Sequence, residues 1–207
     1  MKPGSQQYKE ATKSLLTASA FGAAIGLNPY QSRQQLWRIK TGREVFEGNP
    51  NTDYGERSEK YAIAKYEAIT GELVEKARFC TNPNYPTFGA TPDGFVGGRL
   101  LEAKCPVSGL YKQIPVYYLA QMVGQMEIAD TDVCDFIAWE PEDYKLWKVS
   151  RSAAAWEVML PFLVAMVEYI KSDVEPPRFK KGEKPDPDKF RALIDVEEYG
   201  WAVDEQT

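Results

Sequence analysis

Asp93 lies in a Pro-Asp-Gly turn, and after eight intervening residues Glu102 and Lys104 follow, flanking Ala103. Two carboxylates and the backbone carbonyl of Ala103 would offer a hard divalent cation an oxygen cage with positions left open for water. An ammonium on the same strand face would steady an attacking hydroxide and the negative charge that grows on the reacting group. Each piece also has a plainer reading. Pro-Asp-Gly alone is ordinary turn chemistry. Glu102 and Lys104, two apart on a strand, could form a solvated ion pair. Their neighbours argue otherwise. Leu100, Leu101, Ala103 and Cys105 are apolar on both parities, so the strand reads as buried on both faces. A buried Glu and Lys are costly unless they are paired or bind a metal.

Composition narrows the chemistry. The chain has 207 residues and a mass of 23.4 kDa, with 43% hydrophobic residues, which suits one globular domain with a real core. It contains no histidine, which excludes Ser-His-Asp triads, His-based acid–base catalysis and His-ligated zinc. A metal would therefore be held by oxygen, which selects Mg²⁺, Mn²⁺ or Ca²⁺. Three widely spaced cysteines, Cys80, Cys105 and Cys134, do not read as a disulfide framework and suggest a reducing cytoplasm. No apolar run approaches the roughly 20 residues of a membrane span, and the first residues lack the apolar core of a signal peptide. The net charge of −5 argues mildly against a DNA-coating protein. It leaves a nucleic-acid enzyme open, because site carboxylates are counted as bare charges.

Several elements must hold this site. "TASAFGAAIG" (17–26) predicts a short helix capped by Thr17 or Ser19, and "SRQQLWRIKTG" (32–42) a helix with Ser32 as N-cap and Gly42 past its end. Residues 45–55 read as loop and 56–71 as a helix stopped by Gly71. Segments 73–82, 85–96 and 99–105 are β-rich, and 115–130 predicts a helix. Residues 133–141 and 144–151 read as a β-pair about a turn at 140–143, and 153–173 as a long helix with Pro161 as its expected kink. The order implies one α/β domain with a mixed central β-sheet flanked by helices, spanning 1–174, followed by a Pro/Lys-rich C-terminal extension at 175–207.

The turn aspartate followed by Glu-X-Lys is the PD-(D/E)XK nuclease arrangement, and the wider sequence resembles the lambda-exonuclease family, also called YqaJ-type viral recombinases. Four blocks carry the resemblance in order: "LLTASAFGAAIGLNPYQSRQQLWRIKTG", "GERSEKYAIAKYEAITG", "ATPDGFVGGRLLEAKCP" and "YLAQMVGQMEI". It implies the single-domain PD-(D/E)XK nuclease fold. It implies Asp93 and Glu102 as central metal ligands beside Ala103, Lys104 as the water-activating lysine, and Glu59 as an upstream acid near a second ion. It places Gln121 near the metal site and nucleophile, with Gln125 on the same helix face as a structural residue. Ser19 aligns with the contact to a terminal 5′-phosphate. Lys13 and Lys9 are the nearby basic candidates for that phosphate. Where the family has a further aspartate, "CTNPNYP" offers only Asn82 and Asn84. Tyr8, Phe21, Leu27, Tyr30 and Trp37 are candidates for wedging at a duplex end or for packing the core.

The implied activity is a Mg²⁺-dependent (or Mn²⁺-dependent) deoxyribonuclease with two ions per site. It would degrade one strand of double-stranded DNA from its 5′ end, release 5′-mononucleotides and leave 3′ overhangs for phage-type recombination. A homotrimeric ring and a single-strand annealing protein are the implied partners, with no membrane, in the cytoplasm of a bacterial host. Enclosure of DNA in a ring would reconcile binding with an acidic surface. The alternatives are another PD-(D/E)XK nuclease, either an endonuclease or a single-strand exonuclease, and a catalytically silent DNA-end-binding module.

Overall fold

The computed structural model describes residues 12, 14–45, 48, 50–76 and 78–199. Its centre is a six-stranded sheet in the order β2-β4-β5-β6-β7-β8. The strands are β2 (Glu75–Lys76), β4 (Gly94–Val96), β5 (Arg99–Lys104), β6 (Val133–Glu140), β7 (Asp143–Ser150) and β8 (Val196–Glu198). β1 (Leu16–Thr17) and β3 (Phe88–Gly89) form a separate parallel pair. All neighbours in the large sheet are antiparallel except β5 and β6. A parallel pair needs a crossover, and helix α4 (Val116–Ala129), so numbered after the three helices that precede it in the chain, supplies it.

Those earlier helices are α1 (Phe21–Ala24), α2 (Arg33–Lys40) and α3 (Pro50–Thr70). The sheet separates two apolar layers. On one face Leu100, Cys134, Phe136 and Trp147 meet α1, α4 and the long helix α5 (Ala153–Lys171). On the other, Leu101, Ala103, Ile137 and Leu146 meet Ala62 and Tyr66 of α3. This second layer is pinned by Asp135, which is 1% exposed and accepts hydrogen bonds from Tyr66 Oη (2.6 Å), Arg99 Nε (3.0 Å) and Tyr199 Oη (3.2 Å). A buried carboxylate needs that many donors to offset its lost hydration.

The local signals act as expected at α2: Ser32 caps it by accepting from Gln35 N, and Gly42 takes a left-handed φ of 75° just beyond it. Three expectations are corrected. The helix expected at 56–71 starts at Pro50, whose fixed φ suits a first helical position, so the end of the expected loop is helical. The helix expected at 17–26 is a 3₁₀ turn (Ala18–Ala20) followed by the short α1, and its N-cap Thr17 makes no side-chain cap bond. α5, at 19 residues and a mean hydropathy of 1.5, does have the length and composition of a membrane span. Here its face bearing Trp156, Met159, Leu163 and Met166 is buried in the core. Residues 175–199, set apart in the sequence as an extension, carry α6 (Pro187–Arg191), the edge strand β8, and two core residues, Phe190 and Ile194.

Candidate active site

β5 places Glu102 and Lys104 on one face, as its two-residue period demands, and Glu102 is 1% exposed. Its carboxylate is fully engaged. Oε1 accepts from Lys104 Nζ and from Gln121 Nε2 (2.5 Å), and Oε2 accepts from Gln125 Nε2 (2.7 Å). Gln121 and Gln125 are one helical turn apart on α4, so both amides reach the same carboxylate. Gln125, expected to be structural, thus touches the acid directly. What sequence signal there was lay in its i+4 spacing from Gln121.

Asp93 comes from the turn before β4. Its backbone N–H donates to Leu101 O (3.0 Å) and its Oδ2 accepts from Ala103 N (2.7 Å). β4 ends its pairing with β5 at Gly94 opposite Leu101, so beyond that point the side chain of Asp93 replaces a strand on this edge. In an extended strand the N–H and C=O of one residue point the same way, so the carbonyl of Ala103 opens on the edge where Asp93 sits.

The electrostatics join these groups and Glu59. Burial, and then the charge of Glu102, push the carboxyl of Asp93 well above its usual range, against the pull of Lys104. Glu59, half-buried on α3, is also raised by burial, with Lys104 lowering it and Glu102 raising it. Burial alone would lower Lys104, but the carboxylates of Glu102, Asp93 and Glu59 outweigh it and hold its ammonium charged. One cation therefore faces three carboxylates. Among the described residues no three His, Cys, Asp or Glu side chains are grouped closely enough to hold a metal ion, and Glu59 is linked to the others by its electrostatic coupling to Lys104 and Glu102. The donor set is two carboxylates and a carbonyl, all oxygen, with a surplus of negative charge. It fits a hard divalent cation. Lys104 Nζ also lies 5.2 Å above the ring of Tyr118, a contact the sequence did not suggest.

The remaining sequence candidates divide. Ser19 is exposed within the 3₁₀ turn, 3.3 Å from Thr17 Oγ1, and is not an N-cap. Its turn lies against α4, where a Cβ on Gly124 would stand 3.6 Å from Ala18 Cβ. Lys13 and Lys9 lie outside the described residues, as does Tyr8. Asn82 donates to Glu127 O (3.0 Å) and accepts from Asn84 N (2.9 Å), so it holds a loop. Phe21, Leu27 and Trp37 are core residues, whereas Tyr30 is 81% exposed.

The same architecture occurs in solved structures. An alkaline exonuclease from Laribacter hongkongensis superposes with a TM-score of 0.69 at 25% identity, over 83% of this chain and 95% of that one. Its complex with dAMP matches with a TM-score of 0.67 at 25% identity, over 80% and 92%. A phage-related exonuclease from Haemophilus somnus shares the fold at 16% identity, with a TM-score of 0.55 over 76% and 92%. The fold is thus that of an alkaline-exonuclease nuclease domain. The YqaJ-like viral recombinase domain family matches residues 7–132, more than half of the sequence, and the chain belongs to that family. An uncharacterised protein of Acanthamoeba polyphaga mimivirus is 26% identical over 161 residues, 68% of this chain, and the chain spans only 29% of that relative's length.

Proposed function

We propose that the protein is a metal-dependent 5′-to-3′ exodeoxyribonuclease acting on double-stranded DNA ends. The observation that carries this reading is the convergence of Asp93, Glu102 and Lys104 at the open edge of β5, one ammonium against a surplus of carboxylate. Family membership and the likeness to an alkaline exonuclease support the nuclease class. Asp93, Glu102 and the Ala103 carbonyl would hold Mg²⁺ or Mn²⁺, with Glu59 toward a second ion. The bound metal would polarise the scissile phosphate and lower the pKa of a bound water.

The chain's own groups do the rest. Gln121 and Gln125 fix the orientation of the Glu102 carboxylate. Lys104, kept charged by its neighbours, faces the charge that develops as water adds to phosphorus and the bond to the 3′ oxygen breaks. Ser19 and Lys13 would hold the terminal 5′-phosphate. A homotrimeric ring in a bacterial cytoplasm, working with a single-strand annealing protein, belongs to the same proposal.

The test is hydrolysis of duplexes labelled at either end, in Mg²⁺ and in EDTA. The expected products are 5′-mononucleotides from the 5′-ended strand, with none in EDTA. Lys104→Ala should lower kcat by about a hundred- to a thousandfold, on the order of 3–4 kcal/mol, the scale for a lost electrostatic donor. Turnover within tenfold of wild type would return Lys104 to a structural ion pair. Cutting of closed circular DNA would favour an endonuclease.

A further inference from the structure

Away from the carboxylates, a cleft of about 420 Å³ opens at the start of α2, lined in part by Ser32, Arg33, Arg178, Phe179 and Lys184. Arg33 is the first helical residue, where the helix dipole adds positive potential. It is 8% exposed, and its Nε is buried with no hydrogen-bond partner. Its guanidinium carbon lies over aromatic groups, 4.2 Å from the ring centroid of Phe179 and 5.3 Å from that of Tyr169. Stacking of this kind orients an arginine and leaves its donors free for an oxyanion.

Burial lowers the Arg33 guanidinium below its usual range, and Tyr169 and the Glu183 charge offset this only in part. Arg38 takes up Glu175 (3.0 Å), and the Glu183 carboxylate accepts from Lys180 N (2.7 Å). Lys184 reaches the wall by donating to Gly26 O (3.0 Å), and Arg178 is exposed. A buried donor without an acceptor, as Arg33 Nε is, is costly, and a ligand oxyanion would remove that cost.

A series of aromatic contacts runs from the rim of the cleft toward Lys104. Asn28 and Gln31 line it, and between them Tyr30 projects into solvent. Tyr30 meets Tyr117 edge-on at 5.9 Å, Tyr117 lies 4.3 Å from Tyr118, and Tyr118 sits beneath Lys104. Tyrosine faces are platforms for unpaired bases.

We infer that the Arg33–Arg178–Lys184 cleft is a phosphate-ester subsite that holds the backbone of a DNA strand running from Lys104 across the tyrosines. The inference rests on the nuclease reading. It is tested by DNA-binding anisotropy across a salt series in Ca²⁺, with a short blunt duplex and a short single strand as probes. Arg33→Met leaves an apolar side chain against Phe179, and Arg178→Ala alters an exposed residue. Each should lower the slope of log affinity against log salt by about 0.9 on duplex, or about 0.7 on single strand, per lost phosphate contact. Thermal unfolding of Arg178→Ala should match wild type. Inorganic phosphate and a 5′-mononucleotide form the second arm. If they raise the unfolding temperature of wild type but not of Arg33→Met while the DNA slopes stay unchanged, the phosphate site stands and the strand as its source is overturned. Unchanged slopes with no response to phosphate overturn the subsite altogether, as would an acidic peptide that binds there in place of DNA. The two readings fail separately: unchanged slopes in an active nuclease sink only the subsite, and lowered slopes in a chain that never hydrolyses DNA sink only the nuclease.

Discussion

Removing the two glutamines that hold Glu102 should have unequal consequences. Glu102 Oε2 has one donor, Gln125, whereas Oε1 keeps Lys104 if Gln121 is lost. Gln125→Met therefore strands one oxygen of a carboxylate that is 1% exposed. A buried acceptor left bare costs about 1–3 kcal/mol, and more when it is charged, so about 3 kcal/mol applies. Part of that is returned. Gln125 Oε1 is itself buried with no partner, and its removal relieves about 1 kcal/mol. The net expectation is about 2 kcal/mol of destabilisation for Gln125→Met. Gln121→Met should cost about 1 kcal/mol, an ordinary net hydrogen bond. For a chain of this size the first amounts to about 4–8 °C in Tm. The measurement is urea or thermal unfolding in EDTA, repeated in Mg²⁺. Because a dication would supply Oε2 with a new partner, Mg²⁺ should recover much of the loss in Gln125→Met. A Gln121→Met protein less stable than Gln125→Met would refute the assignment of donors to the two oxygens.

Two further outcomes concern the scaffold. Asp135→Ala removes the shared acceptor of Arg99 Nε and of the Tyr66 and Tyr199 hydroxyls, though Arg99 keeps Glu72 and Tyr66, so it should lower the urea-unfolding free energy by about 3 kcal/mol. Its turnover per folded molecule should be unchanged, and a loss below 1 kcal/mol would show that the three donors find other partners. Gly124→Val should cost about 1–3 kcal/mol by overpacking, since even a Cβ there would stand 2.4 Å from the fully buried ring of Phe21. An unfolding midpoint equal to wild type would mean that the α1–α4 contact yields more readily than its packing suggests.

The parts of the fold that were legible in the sequence are those with local causes. Ser32 and Gly42 bracket α2 because capping and a left-handed turn are decided within a few residues. The β6–β7 hairpin and the double burial of β5 followed from alternation and apolar content. Of the residues singled out in the sequence, Asp93 bonds the Ala103 N–H between Glu102 and Lys104, so the three lie together. What was not legible depends on distant packing. Only the i+4 spacing from Gln121 hints that the Gln125 amide meets a carboxylate 23 positions away. Asp135, in a strand that reads as ordinary, is buried because α3 and Tyr199 close over it. Arg33 looks like a surface arginine at a helix start, and Phe179 and Tyr169, far along the chain, are what bury it. The Pro/Lys-rich composition of 175–199 hid Phe190, whose burial comes from the layer it joins.

The two margins of the large sheet are β2, with two residues, and β8, with three. Within the described residues each exposes too few unpaired backbone groups to template another strand. The described residues therefore offer little for joining copies by extending one sheet into the next, the geometry of a fibre. If a closed ring of such copies exists, its seams must be made of side chains on helices and loops. Such seams are built from many separate contacts and can be retuned residue by residue, without disturbing the ladder that carries Asp93 and Glu102.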